Sequence, residues 1–410
     1  MGMRYIQRGL ETTLATAADS FPAVMLSGPR QTGKTTLLRE HFGRRYRYVS
    51  LEQPPIRALA KHDPGGFLDV YRPPVILDEI QYAPELLPYI KERIDADRRQ
   101  MGQYLLTGSQ NLLLMEAVSE TLAGRTAVLR LYPLARRELD GEPAQPLPWE
   151  PVQEIRDMDP DAYVRRRIFC DQLLAGGYPD VVHGPPGNRT LWFASYVQTY
   201  VERDLRQVRQ IGDLGQFQNF IKSVALRSGQ LFNLSDVARD LGLAVNTVKA
   251  WLSVLEASGL VVILRPYFEN AGKRLVKTPK VYFTDTGLLC HLAGITTAEQ
   301  LALSAFGGAV METAVLMEVV KALSFRGPPP SLYFWRTSNG TEVDLVLDAG
   351  GRLMPVEAKL TATPRAAMAR GITAFREAYG ERAAPGWVVY SGDLRLPLGN
   401  GIMATPFSML

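Results

Sequence analysis

Gly28-Pro29-Arg30-Gln31-Thr32-Gly33-Lys34-Thr35 decides how this 410-residue chain is read. It is a complete G-x-x-x-x-G-K-[ST] pattern, and it lies between an apolar run at 21–27 that reads as a buried strand and a helical pattern running to about His41. Gly28 and Gly33 allow a tight turn, so that successive backbone N–H groups face one anion. The helix that follows turns its positive N-terminal end on the same point. In this chemistry Lys34 reaches the β- and γ-phosphates of ATP, and the Thr35 hydroxyl ligates Mg²⁺. Gly28, Pro29, Arg30, Gln31, Thr32, Gly33, Lys34, Thr35 and Thr36 are the residues expected around the nucleotide.

Working outward, Val75-Ile76-Leu77-Asp78-Glu79 is a hydrophobic strand ending in two acids. Asp78 is placed to hold the metal and Glu79 to polarise an attacking water. Further strands are expected at 47–51, 74–77 and 103–107, with a helix over 86–99. Such alternation of apolar strands and helices predicts an α/β unit over residues 1–140, with a parallel sheet covered on both faces. Proline- and carboxylate-rich sequence at 140–161 reads as a linker or surface excursion, and 162–230 reads as mostly helical. A mixed-charge run, Tyr200-Val201-Glu202-Arg203-Asp204, with Arg165 to Arg167, Arg206 and Arg209, reads as a solvated face or a salt-bridge lattice, communication between the ATPase and the C-terminal domain being the functional alternative.

From 234 onward the pattern is a capped short helix closed by Gly242, a second helix from Val245 to Glu256, and a hairpin made of 260–264 and 281–283. This predicts a winged helix-turn-helix. Asn246, Thr247, Lys249 and Ser253 fall on the exposed face of its second helix, Trp251 in its core, and Lys273, Arg274, Lys277 and Lys280 on the wing. Contact with DNA phosphates and a structural role are both open to it. Beyond Gly308 a helix carrying Glu312 is followed by strand-like runs, one holding Asp344 and the next Glu357-x-Lys359. Strand alternation puts Glu357 and Lys359 on one face. Asp344 and Glu357, with Glu312 as a third carboxylate, suit Mg²⁺ or Mn²⁺.

The phosphate loop, Leu77-Asp78-Glu79, Thr107-Gly108-Ser109, Leu122-Ala123-Gly124-Arg125 and Gly176-Gly177-Tyr178-Pro179 together resemble a prokaryotic family of AAA-type P-loop ATPases with a C-terminal domain of unknown function. The resemblance covers nearly the whole chain. It implies an AAA-type ATPase domain (1–140), a linker and helical connector (141–230), a winged-helix region (231–300) and a nuclease-like domain (301–410). It further implies a γ-phosphate sensor among Thr107, Ser109 and Asn111, of which Ser109 is assigned to the cofactor site. An arginine given to the neighbouring subunit's site is also implied: Arg125, with Arg136 and Arg137 as rivals. Such sharing requires a homo-oligomer, a hexamer being one stoichiometry open to it. The order of elements after Gly308, with Asp344 and Glu357-x-Lys359, resembles the restriction-endonuclease-like core.

Composition narrows the choice. Hydrophobic residues make up 46% and charged residues 21%, which excludes wholesale disorder. Lys plus Arg exceeds Asp plus Glu by only 4, too little to indicate a polyanion partner from charge alone. Two cysteines and four histidines show no zinc spacing and no disulfide framework. With no apolar run near membrane length, the expectation is a cytoplasmic chain without a membrane span. The function expected is ATP hydrolysis by an oligomer, coupled to a winged-helix and nuclease-like half acting on DNA. The rival is an ATP-dependent regulatory or scaffold protein that binds a protein partner and cuts nothing.

Overall fold

The computed structural model describes residues 5–109, 112–150, 162–204, 214–267 and 277–410. The chain forms two compact units, one of Met1–Leu134 with Val254–Leu260 and Leu323–Pro328, the other of Ala135–Ser253, Val261–Ala322 and Pro329–Leu410.

In the first unit, β1 (Ala23–Gly28), β2 (Arg47–Ser50), β3 (Val75–Asp78), β4 (Tyr104–Ser109) and β5 (Thr126–Arg130) form a sheet in the order β2-β3-β4-β1-β5. Every pairing is parallel. Strand periodicity sorts the apolar side chains into two cores. Met25, Val75, Leu77, Tyr104 and Leu106 face one, and Val24, Leu26, Ile76, Leu105 and Leu129 face the other. Burial on both faces is why these strands read as unbroken hydrophobic runs. The helix expected over 86–99 ends at Ala96. Asp97 leaves helical geometry there, and the Gln103 side chain donates to the carbonyls of Asp97 and Gln100, both at 3.0 Å. Gln103 therefore closes the turn, and the strand begins one residue later. The helices Glu11–Ser20, Lys34–Phe42, Pro54–His62, Pro64–Val70 and Leu112–Thr121 also belong to the unit.

In the second unit, Leu147 is fully buried and Trp149 packs on Trp387, ring centroids 6.3 Å apart, so this part of the proline-rich stretch is seated on the unit. The helices Ala162–Ala175, Arg189–Asp204 and Leu214–Leu226 follow. Side chains of the charged run and of Arg165 to Arg167 lie outside what is described, as do Arg206 and Arg209. Asn233 caps the helix Leu234–Leu241 by accepting from Ser235 N at 2.9 Å, and Gly242 ends it at φ 65°. The helix Val245–Ala257 comes next, and its Trp251 meets Phe217 and Phe220 edge-on.

The antiparallel pair β6 (Val261–Pro266) and β7 (Lys280–Phe283) does not stand alone. It extends a sheet with β8 (Leu332–Arg336), β9 (Glu342–Ala349), β10 (Arg352–Lys359), β11 (Trp387–Tyr390), β12 (Leu396–Gly399) and β13 (Ile402–Pro406). The order is β12-β13-β11-β10-β9-β8-β6-β7, with β6 parallel to β8 and β8, β9 and β10 antiparallel to one another in turn. The helix Gly307–Ser324 precedes β8, and the helix Arg370–Tyr379 joins β10 to the parallel strand β11.

Candidate functional site

The phosphate loop follows the C-terminal end of β1. Gly28 has φ 147°, and a Cβ there would lie 2.1 Å from the Leu131 carbonyl oxygen, so only glycine fits. Gly33, at φ 90°, opens the helix Lys34–Phe42. Lys34 is buried and donates through Nζ to the carbonyls of Gly28 and Pro29, at 3.0 and 2.8 Å. The Thr32 hydroxyl donates to Pro29 O at 2.9 Å, tightening the turn.

Asp78 ends β3 beside this loop. Its Oδ1 accepts from Thr35 Oγ1 at 2.9 Å and Thr107 Oγ1 at 2.6 Å, and its Oδ2 accepts from Tyr48 Oη at 2.8 Å. Burial, then the bond to Asp78, pushes Tyr48 up to about 12, so the phenol remains a donor. Thr107 also accepts from Glu79 N at 2.9 Å. Glu79 stands at φ 61° and its carboxylate accepts from Gln81 Nε2. Among the described residues three non-glycines have positive φ, and two of them, Gln31 and Glu79, belong to this site. Strain of that kind concentrates where backbone direction serves a function.

Arg30 and Thr36 hold their motif positions, Arg30 partly buried in the loop. Ser109 ends β4 opposite Gly28. The Ser109 side chain and Asn111 lie outside what is described. Arg125 sits just before β5, at the strand-start edge of the sheet, where its carbonyl accepts from Ala23 N at 3.1 Å. The length of β5, about 17 Å, separates it from the end that carries its own phosphate loop. Arg125 pairs with both oxygens of Asp95, at 2.7 and 2.9 Å. Of its rivals, Arg137 is buried and Arg136 pairs with Asp140 at 2.6 Å. The residues that sequence reasoning missed are Tyr48 and Arg8, the latter a buried guanidinium bound to main-chain carbonyls of the loop region.

The second constellation lines an open cavity of about 580 Å³ in the C-terminal sheet. It brings together the expected Glu312, Asp344, Glu357 and Lys359 and adds Lys280, Glu342 and Arg336. Lys359 Nζ lies 2.6 Å from Glu357 and 3.5 Å from Asp344, whose Oδ2 accepts from Ala358 N at 2.9 Å. Glu312 accepts from Lys280 Nζ at 2.8 Å and Tyr282 Oη at 2.5 Å. Lys280 also pairs with Glu342, which in turn pairs with Arg336. Oxygens of Glu312, Glu342 and Asp344 lie within 4.8 Å of one another, close enough to share a cation.

Burial and the Asp344 charge push Glu312 up to about 7, against the pull of Lys280. Burial and Asp344 likewise raise Glu357 well above the carboxylate range. Burial would raise Asp344 too, but Lys359 and Lys280 hold it below its ordinary value. The two lysines thus favour the charged form of Asp344. Glu342 was legible in principle, since it stands two residues before Asp344 on the same strand face. Lys280, expected on an exposed wing, is a correction: at 2% exposure it is a buried ion-pair partner of the acids. Asn246, Lys249 and Ser253 are exposed and Thr247 half-buried; Lys277 is exposed, while Lys273 and Arg274 lie outside the described residues.

Both cysteines are buried. No described helix is long and apolar enough to cross a membrane.

Sequence profiles match three stretches: "AAA domain" over residues 20–139, "Domain of unknown function (DUF8612)" over 166–299, and "Domain of unknown function (DUF4143)" over 307–410. An uncharacterized protein of Mycobacterium tuberculosis is 31% identical over 404 residues, covering 98% of this chain and 83% of its own length. One of Haemophilus influenzae is 22% identical over 298 residues, covering 66% of this chain and 69% of its own. The Walker-type ATPase of Pyrococcus abyssi is similar in structure over 70% of this chain and 96% of its own, at 16% identity and a TM-score of 0.44. At 31% identity over nearly its full length, the chain belongs to the family of the mycobacterial protein, with an AAA-type ATPase domain followed by two domains of unknown function.

Proposed function

We propose that this chain is an Mg²⁺-dependent ATPase, working as a homo-oligomer, whose nucleotide state drives a winged-helix and nuclease-like half on DNA. The observation that carries the ATPase reading is the junction beside the phosphate loop at which Thr35 and Thr107 both donate to Asp78 Oδ1, at 2.9 and 2.6 Å, a cluster of hard oxygens. Lys34 would exchange the carbonyls of Gly28 and Pro29 for a phosphate. Thr35 and Asp78 would hold Mg²⁺, Lys34 the β- and γ-phosphates, and Glu79 would orient a water and take its proton. Arg125 of a neighbouring copy would complete the site. Mg²⁺ bound here supplies charge neutralisation on the phosphate oxygens.

The nuclease-like reading is supported by the run of helix, three antiparallel strands, helix and parallel strand, and by the gathering of Asp344, Glu357, Lys359 and Glu312 at one cavity. Asp344 and Glu357, with Glu312 and Glu342 beside them, would hold a divalent ion, and Lys359 would steady the attacking water. One observation favours the rival scaffold reading: Lys280 already offsets the charge of Glu312 and Glu342. Incubating wild type and Asp344→Ala with DNA or RNA and Mn²⁺ decides between them. The expected result is cleavage that disappears in the variant. Absence of cleavage in both, with DNA binding that lacks a steep salt dependence, would leave the scaffold.

A further inference from the structure

Arg8 belongs to no motif, yet it is among the most buried charged side chains of its unit, at 4% exposure. Burying a guanidinium costs several kcal/mol unless fixed partners compensate. Here the two terminal nitrogens divide between two main-chain carbonyls: Nη1 donates to Thr32 O at 2.8 Å and Nη2 to Tyr132 O at 2.8 Å. Thr32 lies inside the phosphate loop, and Tyr132 lies just past β5, where the chain leaves this unit. That exit segment already abuts the loop. Leu131 N donates to Ser27 O at 2.8 Å, and Leu131 O is the atom that excludes any side chain from position 28.

The direction of the Thr32 carbonyl has a chemical consequence. The Thr32–Gly33 peptide is trans, so its C=O and N–H point opposite ways. A carbonyl drawn toward Arg8 turns the Gly33 N–H to the opposite side of the peptide, away from the guanidinium. A planar fork is suited to this because it meets two acceptors in fixed directions, which a single ammonium cannot do.

We propose that Arg8 is a positioning residue for the phosphate loop. It sets the Thr32–Gly33 peptide for phosphate binding and fastens the loop to the segment through which the chain leaves the ATPase domain. The inference rests on the ATPase reading, and the test separates the two. Fluorescent ADP and ATP analogues are titrated, with Mg²⁺, into full-length wild type, Arg8→Ala and Arg8→Lys, and thermal melts establish that each is folded. Both variants are expected to bind both nucleotides about tenfold more weakly, the loss of a charge-assisted hydrogen bond. Millimolar guanidinium should restore Arg8→Ala, whereas sodium chloride at the same concentration should not. A folded variant with wild-type affinity, a loss seen with ATP and not ADP, or a loss that guanidinium leaves untouched overturns the proposal. If Arg8→Ala does not fold, Arg8→Lys decides alone: binding like wild type shows that the fork is not needed. Wild type that binds neither nucleotide removes the ATPase reading itself, a different outcome from a wild type that binds beside variants that bind equally well.

Discussion

Replacing Lys34 by alanine removes a buried ammonium held by the carbonyls of Gly28 and Pro29. Affinity for ATP should fall by about ten- to a hundredfold, as measured by direct titration. Glu79→Gln keeps size and shape but cannot take a proton. It should bind ATP nearly as wild type does and hydrolyse it at least about a hundredfold more slowly. A full rate in that variant would remove Glu79 as the water-orienting residue. Lys34, Thr35, Asp78 and Glu79 were legible because contiguous motif and local element fix them together. Tyr48 and Arg8 were not, since their contacts follow from sheet order: β2 must lie against β3 to bring Tyr48 to Asp78. Lys280 misled for another reason. A lysine between Pro279 and Val281 carries no sign of burial when the acids that neutralise it lie on β9 and on the helix Gly307–Ser324.

At the scale of elements, Gly176-Gly177 has a structural explanation. Asp285 is buried and caps the helix Thr286–Leu292, its Oδ1 accepting from Leu288 N at 2.8 Å and its Oδ2 from Gly177 N at 2.7 Å. Gly176 stands at φ 66°, and a Cβ there would lie 2.3 Å from Asp285 Oδ1. Burial raises the Asp285 carboxyl above its ordinary value, the two amides pulling the other way. Asparagine is usually a good cap, but here both oxygens accept, and an amide would aim N–H at N–H on one side. Asp285→Asn should therefore cost about 2–3 kcal/mol in a urea melt, and a variant as stable as wild type would show that the second bond contributes little. Element types were legible along most of the chain. Ends were less so: the helix at Leu86 stops at Ala96, where Gln103 ties the carbonyls of Asp97 and Gln100 into a turn that no capping residue announces.

For the whole molecule, the role proposed for Arg125 bears on whether one copy suffices. It is held by Asp95, whose carboxyl the Arg125 hydrogen bonds lower to about 2. A depressed carboxyl contributes stability above its unfolded value near 3.8, and that is lost as pH falls through about 2, so the pair is intact at neutral pH. Being exposed, it should loosen with salt and matter little to folding. Arg125→Ala is thus expected to leave the melting temperature almost unchanged. The hydrolysis rate per subunit, which should rise with wild-type concentration, should lose that rise in the variant. Sizing Glu79→Gln by light scattering with and without ATP checks the same point, since assembly that ignores nucleotide would argue against a shared site.

The strand pair β6–β7 has one more consequence. Because β6 hydrogen-bonds to β8 and Lys280 sits between Glu312 and Glu342, the two regions of unknown function cannot be inherited or expressed as interchangeable modules. A fragment starting at residue 301 would bare the β8 backbone along a raw edge and strand two carboxylates without their counter-ion. Cutting the chain at that seam is therefore expected to give insoluble halves, and a soluble, folded fragment from residue 301 would show that the sheet closes without β6 and β7.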